Sequence, residues 1–369
     1  MFNSNQTGLR ATWKLHILSL LCLAGCFDLT GHENWHPPQH PGKHQELAYV
    51  TIASTHEVLA IDPKSRSIVD RYPVGEGPAI IVASPATAKL YTANWGDNTV
   101  SAVHPNTGTV SNIPVDGRPY IIAISPSGSY LYIGTFPTGI SVLDTHTDQV
   151  VARFATNELA ASLIVSPDGQ TLYVATIDFA GGPGTLRAIA TEDGSTVHTP
   201  IPVGVAPGWI TISHDGAEVY TLNFRSDDVT VVSTSPFQVA ATIDTGVGSQ
   251  GIIGNMSPDD ETLYVTNFGT GTLIGIDRFQ RAITRTIELD ARPAGVQFDS
   301  KGEQVFVTDY GSGSLTRPSD DTFLNTGVFV GSSPGRLRSF DMERGTETGL
   351  AITTPPGPTS VVTLRHQTH

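Results

Sequence analysis

A strand-like phrase recurs seven times along the chain, and this repetition limits the possible folds more than any other feature. Each copy centres on an aromatic residue flanked by Leu, Val, Ile and Thr, which are residue types that favour β-strands. The aromatic residues stand at positions 49, 91, 132, 173, 220, 264 and 306, so successive copies are 42, 41, 41, 47, 44 and 42 residues apart. Units of this length and number are typical of the four-stranded blades of a β-propeller.

A second phrase gives the same count independently. Pro78, Pro119, Pro207 and Pro293 each precede a Ser or Asp by six residues, and two other segments keep this spacing without the proline. We interpret each copy as the innermost strand of a blade, followed by a tight turn. A seventh copy, at 358–364, follows the last aromatic phrase, whereas no copy precedes the first. The sequence therefore predicts that the carboxy-terminal strand completes the first blade and closes the ring, which leaves only short sheet edges.

Composition agrees with this architecture. The 369 residues include 37 Gly and 25 Pro, and only 15% are charged, well below the usual quarter. Such a balance suits many short strands and tight turns. The predicted fold class is all-β: a seven-bladed β-propeller with four-stranded blades over residues 46–365, followed by a short tail at 366–369.

Net charge restricts the partners. Lys and Arg together number 21 against 35 Asp and Glu, which gives a formal charge of −14. A protein of this sign is repelled by the phosphates of a nucleic acid, so we expect no nucleic-acid partner. We also expect a monomer.

One copy of the aromatic phrase reads Tyr264-Val265-Thr266-Asn267, and residues 47–364 resemble the YVTN-repeat propellers. The resemblance implies the same seven-bladed fold. Related propellers occur as periplasmic and surface-layer proteins, many without demonstrated catalysis, so the implied function is a scaffold that binds a protein or a small ligand. The resemblance extends more distantly to gluconolactonase-type and nitrite-reductase-type haem propellers. An enzyme or a cofactor carrier is therefore the alternative.

The amino terminus has the features of a signal peptide. Arg10 and Lys14 lie in a polar segment, and the eleven residues from Leu15 to Gly25 form a mainly apolar run. That run is too short for a helix that spans a bilayer, which needs about 20 residues, but it suits the core of a signal peptide. The sequence predicts a removed leader at 1–25.

The leader ends in Leu23-Ala24-Gly25-Cys26, which resembles the lipobox of bacterial lipoproteins. The resemblance implies that Cys26 is acylated, so that fatty acyl chains such as palmitate anchor the protein in the cell envelope of a Gram-negative bacterium. Phe27 follows the cysteine in place of Asp, which favours the outer membrane, with the propeller in the periplasm or at the cell surface. The alternative is an ordinary secretory leader in which Cys26 is incidental.

We interpret residues 26–45 as a tether rich in His and Pro. A histidine stands at every fourth position, but prolines among them forbid the helix that would align the imidazoles on one face. An extended strand of this kind binds copper, nickel or zinc loosely, and such a divalent metal is the one cofactor that the sequence suggests. The alternative is a solvated linker. The histidines are His32, His36, His40 and His44.

The residues predicted to line the central channel include no Asp, Glu, His, Lys or Arg. Alternate side chains of a strand share a face, so positions two and four after the leading residue of each innermost strand point to the channel. Ile80 and Trp209 are examples. This composition counts against the metal-dependent lactonase propellers, which need inward carboxylates.

Ionisable residues appear instead on one face of the ring, which we call the mouth face. There the second and third strands of each blade are joined, and each blade connects to the next. Arg118 and Arg292 precede prolines at equivalent places in two blades, where they would clamp a carboxylate or phosphate. The alternative is that they pair with Asp116 and Asp290, two residues earlier.

Two long connections also belong to the mouth face. The segment 311–335 lengthens the seventh blade, and a shorter excess at 178–184 lengthens the fourth. Loops of such length are usually functional or disordered, so we place a binding surface under the 311–335 loop, with a tolerated insertion as the alternative. The candidate ligand-binding residues are Trp95, Arg118, Asp178, Trp209, Arg225, Arg292, Tyr310, Arg317 and Phe323.

No catalytic residue is assigned. The sequence lacks a Cys-x-x-Cys-His haem attachment site, a Gly-x-Ser-x-Gly elbow and a His-Glu-x-x-His helix. A tetrapyrrole carrier would need an axial ligand near the mouth, and His56 is the candidate by topology. The sequence therefore favours a binding scaffold, with a propeller enzyme or cofactor carrier and metal handling by the tether as alternatives.

Overall fold

Twenty-eight β-strands make up the regular structure of the computed structural model, which describes residues 46–137, 139–156, 158–310, 334–341, 343–344 and 346–365. The strands form seven antiparallel sheets of four, numbered here as blades in chain order. Blade 1 contains β28 (Pro358–Arg365), β1 (Glu46–Ile52), β2 (Glu57–Asp62) and β3 (Ser67–Pro73). Blade 2 contains β4 (Pro78–Ser84), β5 (Lys89–Asn94), β6 (Thr99–His104) and β7 (Thr109–Pro114). Blade 3 contains β8 (Arg118–Ile124), β9 (Tyr130–Phe136), β10 (Ile140–Asp144) and β11 (Gln149–Phe154).

The remaining four blades repeat this plan, with the innermost strand first in each. Blade 4 contains β12 (Ala160–Val165), β13 (Thr171–Thr176), β14 (Pro183–Ala190) and β15 (Thr196–Val205). Blade 5 contains β16 (Pro207–Ile212), β17 (Glu218–Asn223), β18 (Asp228–Thr234) and β19 (Phe237–Asp244). Blade 6 contains β20 (Gly251–Met256), β21 (Thr262–Asn267), β22 (Thr272–Asp277) and β23 (Ala282–Glu288). Blade 7 contains β24 (Pro293–Phe298), β25 (Gln304–Asp309), β26 (Gly335–Asp341) and β27 (Thr346–Thr354). This architecture confirms the predicted fold class.

The ring closes through blade 1, as predicted. Strand β28 pairs antiparallel with β1, and Tyr49 lies opposite Val362. The hydroxyls of Thr51 and Thr359 are hydrogen-bonded at 2.8 Å. The first and last described strands are therefore neighbours in one sheet, so no blade is left incomplete. The leader, the tether and the tail at 366–369 lie outside the described residues. In the described part of the chain, no helix has the length and apolar character needed to cross a bilayer.

The core lies between neighbouring blades. One cluster combines residues of blades 3 and 4, and the next combines residues of blades 4 and 5. The second strand of a blade is covered on both faces, so every residue of β5 is buried. The outermost strand β3 instead alternates between exposed residues and residues that are partly or fully buried. This explains why the repeated aromatic phrase, which is the clearest repeat in the sequence, falls in the second strands.

A buried asparagine side chain closes the mouth-face turn in three blades. The Asn94 amide donates to Thr99 at 2.9 Å and to Ser101 at 2.8 Å, while its oxygen accepts from Thr92. Asn223 accepts from Thr221 in the same way.

Blade 6 lacks one hydrogen bond of this arrangement, the one accepted by the asparagine side-chain oxygen. Val265 stands where the other two blades have Thr92 and Thr221, so the buried side-chain oxygen of Asn267 has no hydrogen-bond partner. An unpaired buried acceptor costs about 1–3 kcal/mol.

We therefore expect Val265→Thr to supply the missing donor. The matched control is Val50→Thr, which buries the same hydroxyl two residues before Ile52, a side chain that offers no acceptor. In urea unfolding, Val265→Thr should retain about 1–2 kcal/mol more stability than Val50→Thr. Equal destabilisation by the two substitutions would contradict this assignment.

A buried arginine joins blades 5 and 6 on the face opposite the mouth. The Arg278 guanidinium donates to Asp215 at 2.7 Å and to Glu218 at 3.0 Å, and it also contacts Asp260. Burial acts to raise the pKa of Asp215, but hydrogen bonds from Ser213 and the backbone, together with Arg278, outweigh it and lower the pKa to about 2.

This network predicts a pH dependence. The folded pKa of Asp215 lies below its ordinary value of 3.8, so its contribution to stability is present above that value and is lost as the pH falls toward about 2. Arg278→Met should cost about 3 kcal/mol at pH 7 and should flatten the loss of stability between about pH 5 and 2. Arg71→Met, at an exposed pair, is the control and should change stability by less than about 1 kcal/mol. An acid profile unchanged by Arg278→Met would contradict the assignment.

Candidate functional site

An apolar pocket opens on the mouth face where the seven innermost strands begin. Its cavity volume is about 100 Å³. This is below the roughly 300–1,000 Å³ of typical small-molecule sites, so the cavity holds a small ligand or one part of a larger one. No Asp, Glu, His, Lys or Arg is among its described lining residues. The lining residues are Ala79, Ile80, Trp95, Tyr120, Ile121, Phe136, Leu159, Ala161, Ile177, Gly208, Trp209, Ile252, Ile253, Ala294, Tyr310 and Thr359.

All seven blades contribute to this mouth pocket through equivalent positions. The residue directly after the leading position of each innermost strand lines it, from Ala79 in blade 2 to Thr359 in blade 1. In four blades the next residue lines it as well, as Tyr120 and Ile121 do in blade 3. Strict strand alternation would place two successive residues on opposite faces.

A β-bulge explains the departure from alternation. The pairing register shifts within the first residues of each innermost strand, for example between Pro119 and Ile121 and between Pro207 and Trp209. A bulge adds an unpaired residue and redirects the neighbouring side chains. The sequence-based assignment therefore identified Ile80 and Trp209 correctly but missed Tyr120 and its equivalents.

Trp209 reaches into the centre of the ring. Its indole N–H donates to the backbone oxygen of Gly254 in blade 6 at 2.8 Å, and its ring packs against clusters of blades 3 and 4, 5 and 6, and 6 and 7. Ile80 likewise contacts three clusters. These two side chains fill part of the central channel that the ring of innermost strands encloses.

Aromatic rings form the wall at blades 2 and 3. Trp95 meets Tyr120 edge-on with ring centres 5.8 Å apart, and it lies 6.0 Å from Phe136. The Tyr120 hydroxyl donates to the backbone oxygen of Ala160. Burial raises the pKa of Tyr120 and that of Tyr310 well above the ordinary value, so both phenols stay neutral and the wall is uncharged.

Two arginines stack on aromatic rings beside the pocket. The guanidinium carbon of Arg118 lies 5.6 Å from the centre of the Trp95 ring, and that of Arg292 lies 5.2 Å from the centre of the Phe268 ring. Phe268 in turn meets the lining residue Tyr310 edge-on at 6.1 Å.

The alternative that these arginines pair with the acids two residues earlier is wrong. Asp116 binds Arg153 instead. Asp290 lies 2.9 Å from Arg336 and 2.8 Å from Arg338. The hydrogen bond from Arg336, opposed by burial, is the largest effect on Asp290, and its pKa is lowered overall.

The other predicted site residues fall into two groups. Asp178 is exposed and accepts the backbone N–H of Ala180, and Arg225 lies in the β17–β18 turn. Both are on the mouth face outside the pocket lining. Of the residues predicted from the sequence, the structure therefore brings Trp95, Trp209 and Tyr310 together in the pocket lining. Arg118 and Arg292 lie beside them. The predicted residues outside the described ranges are Arg317 and Phe323 of the 311–335 loop, Cys26, His32, His36, His40 and His44.

His56 does not belong to the pocket lining. It lies in the β1–β2 turn on the mouth face, where its Nδ1 accepts the backbone N–H of Gly77 at 3.0 Å. No group of three or more His, Cys, Asp or Glu side chains placed to hold a metal occurs among the described residues.

Comparisons with known proteins support the fold. No protein-family model and no curated protein matches the chain. Hydrazine synthase of Kuenenia stuttgartiensis is 18% identical, with a TM-score of 0.64, over 79% of this chain and 96% of that chain. The dihydro-haem d1 dehydrogenase NirN in complex with DHE is 16% identical, with a TM-score of 0.61, over 86% and 74%. A protein of unknown function from Desulfotomaculum acetoxidans is 11% identical, with a TM-score of 0.65, over 87% and 99%. At these identities the similarities show a β-propeller fold and nothing about activity.

Proposed function

We propose that the protein is a lipid-anchored binding protein of the cell envelope whose propeller takes a small, largely apolar molecule into the mouth pocket. The observation that carries the proposal is the pocket lining, to which all seven innermost strands contribute without an ionised side chain. A concave apolar site gains affinity because binding removes apolar surface of both ligand and protein from water.

The chemistry of the lining favours binding over catalysis. General acid–base catalysis near neutral pH needs a group whose pKa lies near the working pH. The titratable groups of the described lining are the phenols of Tyr120 and Tyr310, and burial raises the pKa of both. The described residues of the pocket therefore hold and orient a ligand without supplying a proton acceptor.

The anchor in this proposal is the acylated Cys26. The 19 residues of 27–45 separate it from the first described strand, which begins at Glu46. An extended chain of that length spans up to roughly 70 Å, which is enough to hold the propeller clear of a lipid surface. Loose metal binding by the histidines of this tether stays a separate prediction.

Carriage of a flat conjugated cofactor is a second candidate. The aromatic wall of Trp95, Tyr120 and Phe136 favours it, because flat rings stack on aromatic side chains. One structural relative is described as bound to DHE. A visible absorption band that co-purifies with the protein and disappears when the pocket is filled would support this candidate over a colourless ligand.

The pocket is tested by filling it. Ala161 is buried and lines the pocket, so Ala161→Leu should occupy the space that a ligand needs. Native mass spectrometry of the protein from its own membrane should show a bound small molecule, and Ala161→Leu should lower its occupancy at least tenfold. Ala240→Leu, exposed on β19, is the control and should keep the ligand. Equal occupancy in both variants would place the ligand elsewhere.

The anchor is tested by labelling. Cells that express the full chain and are fed labelled palmitate should incorporate the label into the protein, and Cys26→Ser should abolish incorporation. Cys22→Ser, within the predicted leader, is the control and should leave incorporation unchanged. Label that persists in Cys26→Ser would refute the assigned lipidation site.

A further inference from the structure

We propose that the ligand of the mouth pocket is an anionic amphiphile: an apolar body with one or two carboxylates or similar oxyanions, which Arg118 and Arg292 bind. This inference rests on the proposed function and adds the chemical class of the ligand to it. The two arginines stand beside the pocket, not in its lining.

The same arginine–aromatic unit is built twice. Trp95 and Phe268 each follow the buried asparagine at the end of a second strand, in blades 2 and 6. Arg118 and Arg292 each precede the leading proline of the next blade. The stacking is therefore a product of equivalent backbone positions, and the geometry of one unit independently reproduces that of the other.

The backbone fixes both units in place. The carbonyl of Arg292 accepts the N–H of Tyr310 at 3.0 Å, and Arg118 pairs with Phe136 in the β8–β9 ladder. Each arginine thus belongs by its backbone to one blade and stacks on a ring of the preceding blade. Such positioning reduces the conformational entropy that a long side chain loses when it binds a ligand.

Neither guanidinium donates a side-chain hydrogen bond to any described residue, so the N–H donors of both are available to a ligand. A guanidinium that lies over a ring uses its flat face for the contact, and its N–H donors point outward in the plane, where they match a carboxylate in a bidentate manner. Neither arginine has an ion pair with any described residue. The neighbouring acids Asp116 and Asp290 bind other arginines.

The two units stand on opposite sides of the pocket. Arg118 enters blade 3 and Arg292 enters blade 7, so they are four blades apart in one direction around the ring and three in the other. A ligand whose apolar body lies in the pocket would place an oxyanion at either side. The overall charge of −14 means that the chain as a whole attracts cations rather than anions, so an anionic ligand depends on local positive charge such as that of these two arginines.

The test compares two probes that differ only in charge. Naphthaleneacetate and naphthaleneacetamide share one aromatic body, and the amide replaces the carboxylate with a neutral group of similar shape. Calorimetric titration of the full-length protein in nonionic detergent should show roughly tenfold tighter binding of the acetate, the effect expected of a charge-assisted hydrogen bond at a partly exposed site. This preference should fall as salt is raised, since exposed charges are screened.

Substitution then identifies the arginines. The double variant Arg118→Gln with Arg292→Gln should lose the preference for the acetate and keep wild-type affinity for the amide. Arg71→Gln removes one exposed positive charge on the outermost strand β3, outside the pocket lining, and should change neither affinity by more than about twofold.

The outcomes separate the two proposals. Equal affinity of the wild-type protein for both probes would overturn the anionic ligand and leave the apolar pocket in place. A preference that survives in the double variant would also overturn the role of these arginines. Absence of binding by either probe would overturn the proposed function itself.

Discussion

The pairing of β28 with β1 is the contact on which the rest of the molecule depends. It joins the two ends of the described chain in one sheet and makes every blade the neighbour of two others. The core lies between blades, so an open ring would expose the faces of two of them. The mouth pocket also depends on the pairing of β28 with β1, because Thr359 of β28 completes the set of equivalent residues that line it.

The fold could be predicted from the sequence because the same strand phrases recur in each blade. Seven aromatic phrases and the proline-led phrase predicted the number of blades, the strand order within them and the closure of the ring. Each blade alone is a weak signal, but the second strands are buried on both faces, and the same residue types recur there. Trp209 was assigned to the channel on the same grounds, and the structure places it there.

The walls of the pocket were less predictable. Alternation assigns every second residue to the channel, whereas the bulge at the start of each innermost strand turns consecutive residues toward the mouth. Tyr120 was missed for this reason. The alternative that Arg118 and Arg292 pair with Asp116 and Asp290 rested on proximity in sequence. It is wrong because neighbouring strands bring Arg153, Arg336 and Arg338 to those acids. Such ion pairs form between strands that are distant in sequence, and a single sequence does not show which strands become neighbours at this level of detail.

Arginines on the two faces of the ring have different partners. On the face opposite the mouth, Arg278 is surrounded by carboxylates and contributes to the junction of two blades. At the mouth, Arg118 and Arg292 stack on rings and have no acidic partner among the described residues. The most direct measurement is an experimental structure of the protein purified from its own membrane without added ligand. We predict density for a bound molecule that contacts the Trp95 and Trp209 rings. A molecule bound on the opposite face, or a pocket collapsed by rotation of Trp209, would contradict the proposed site.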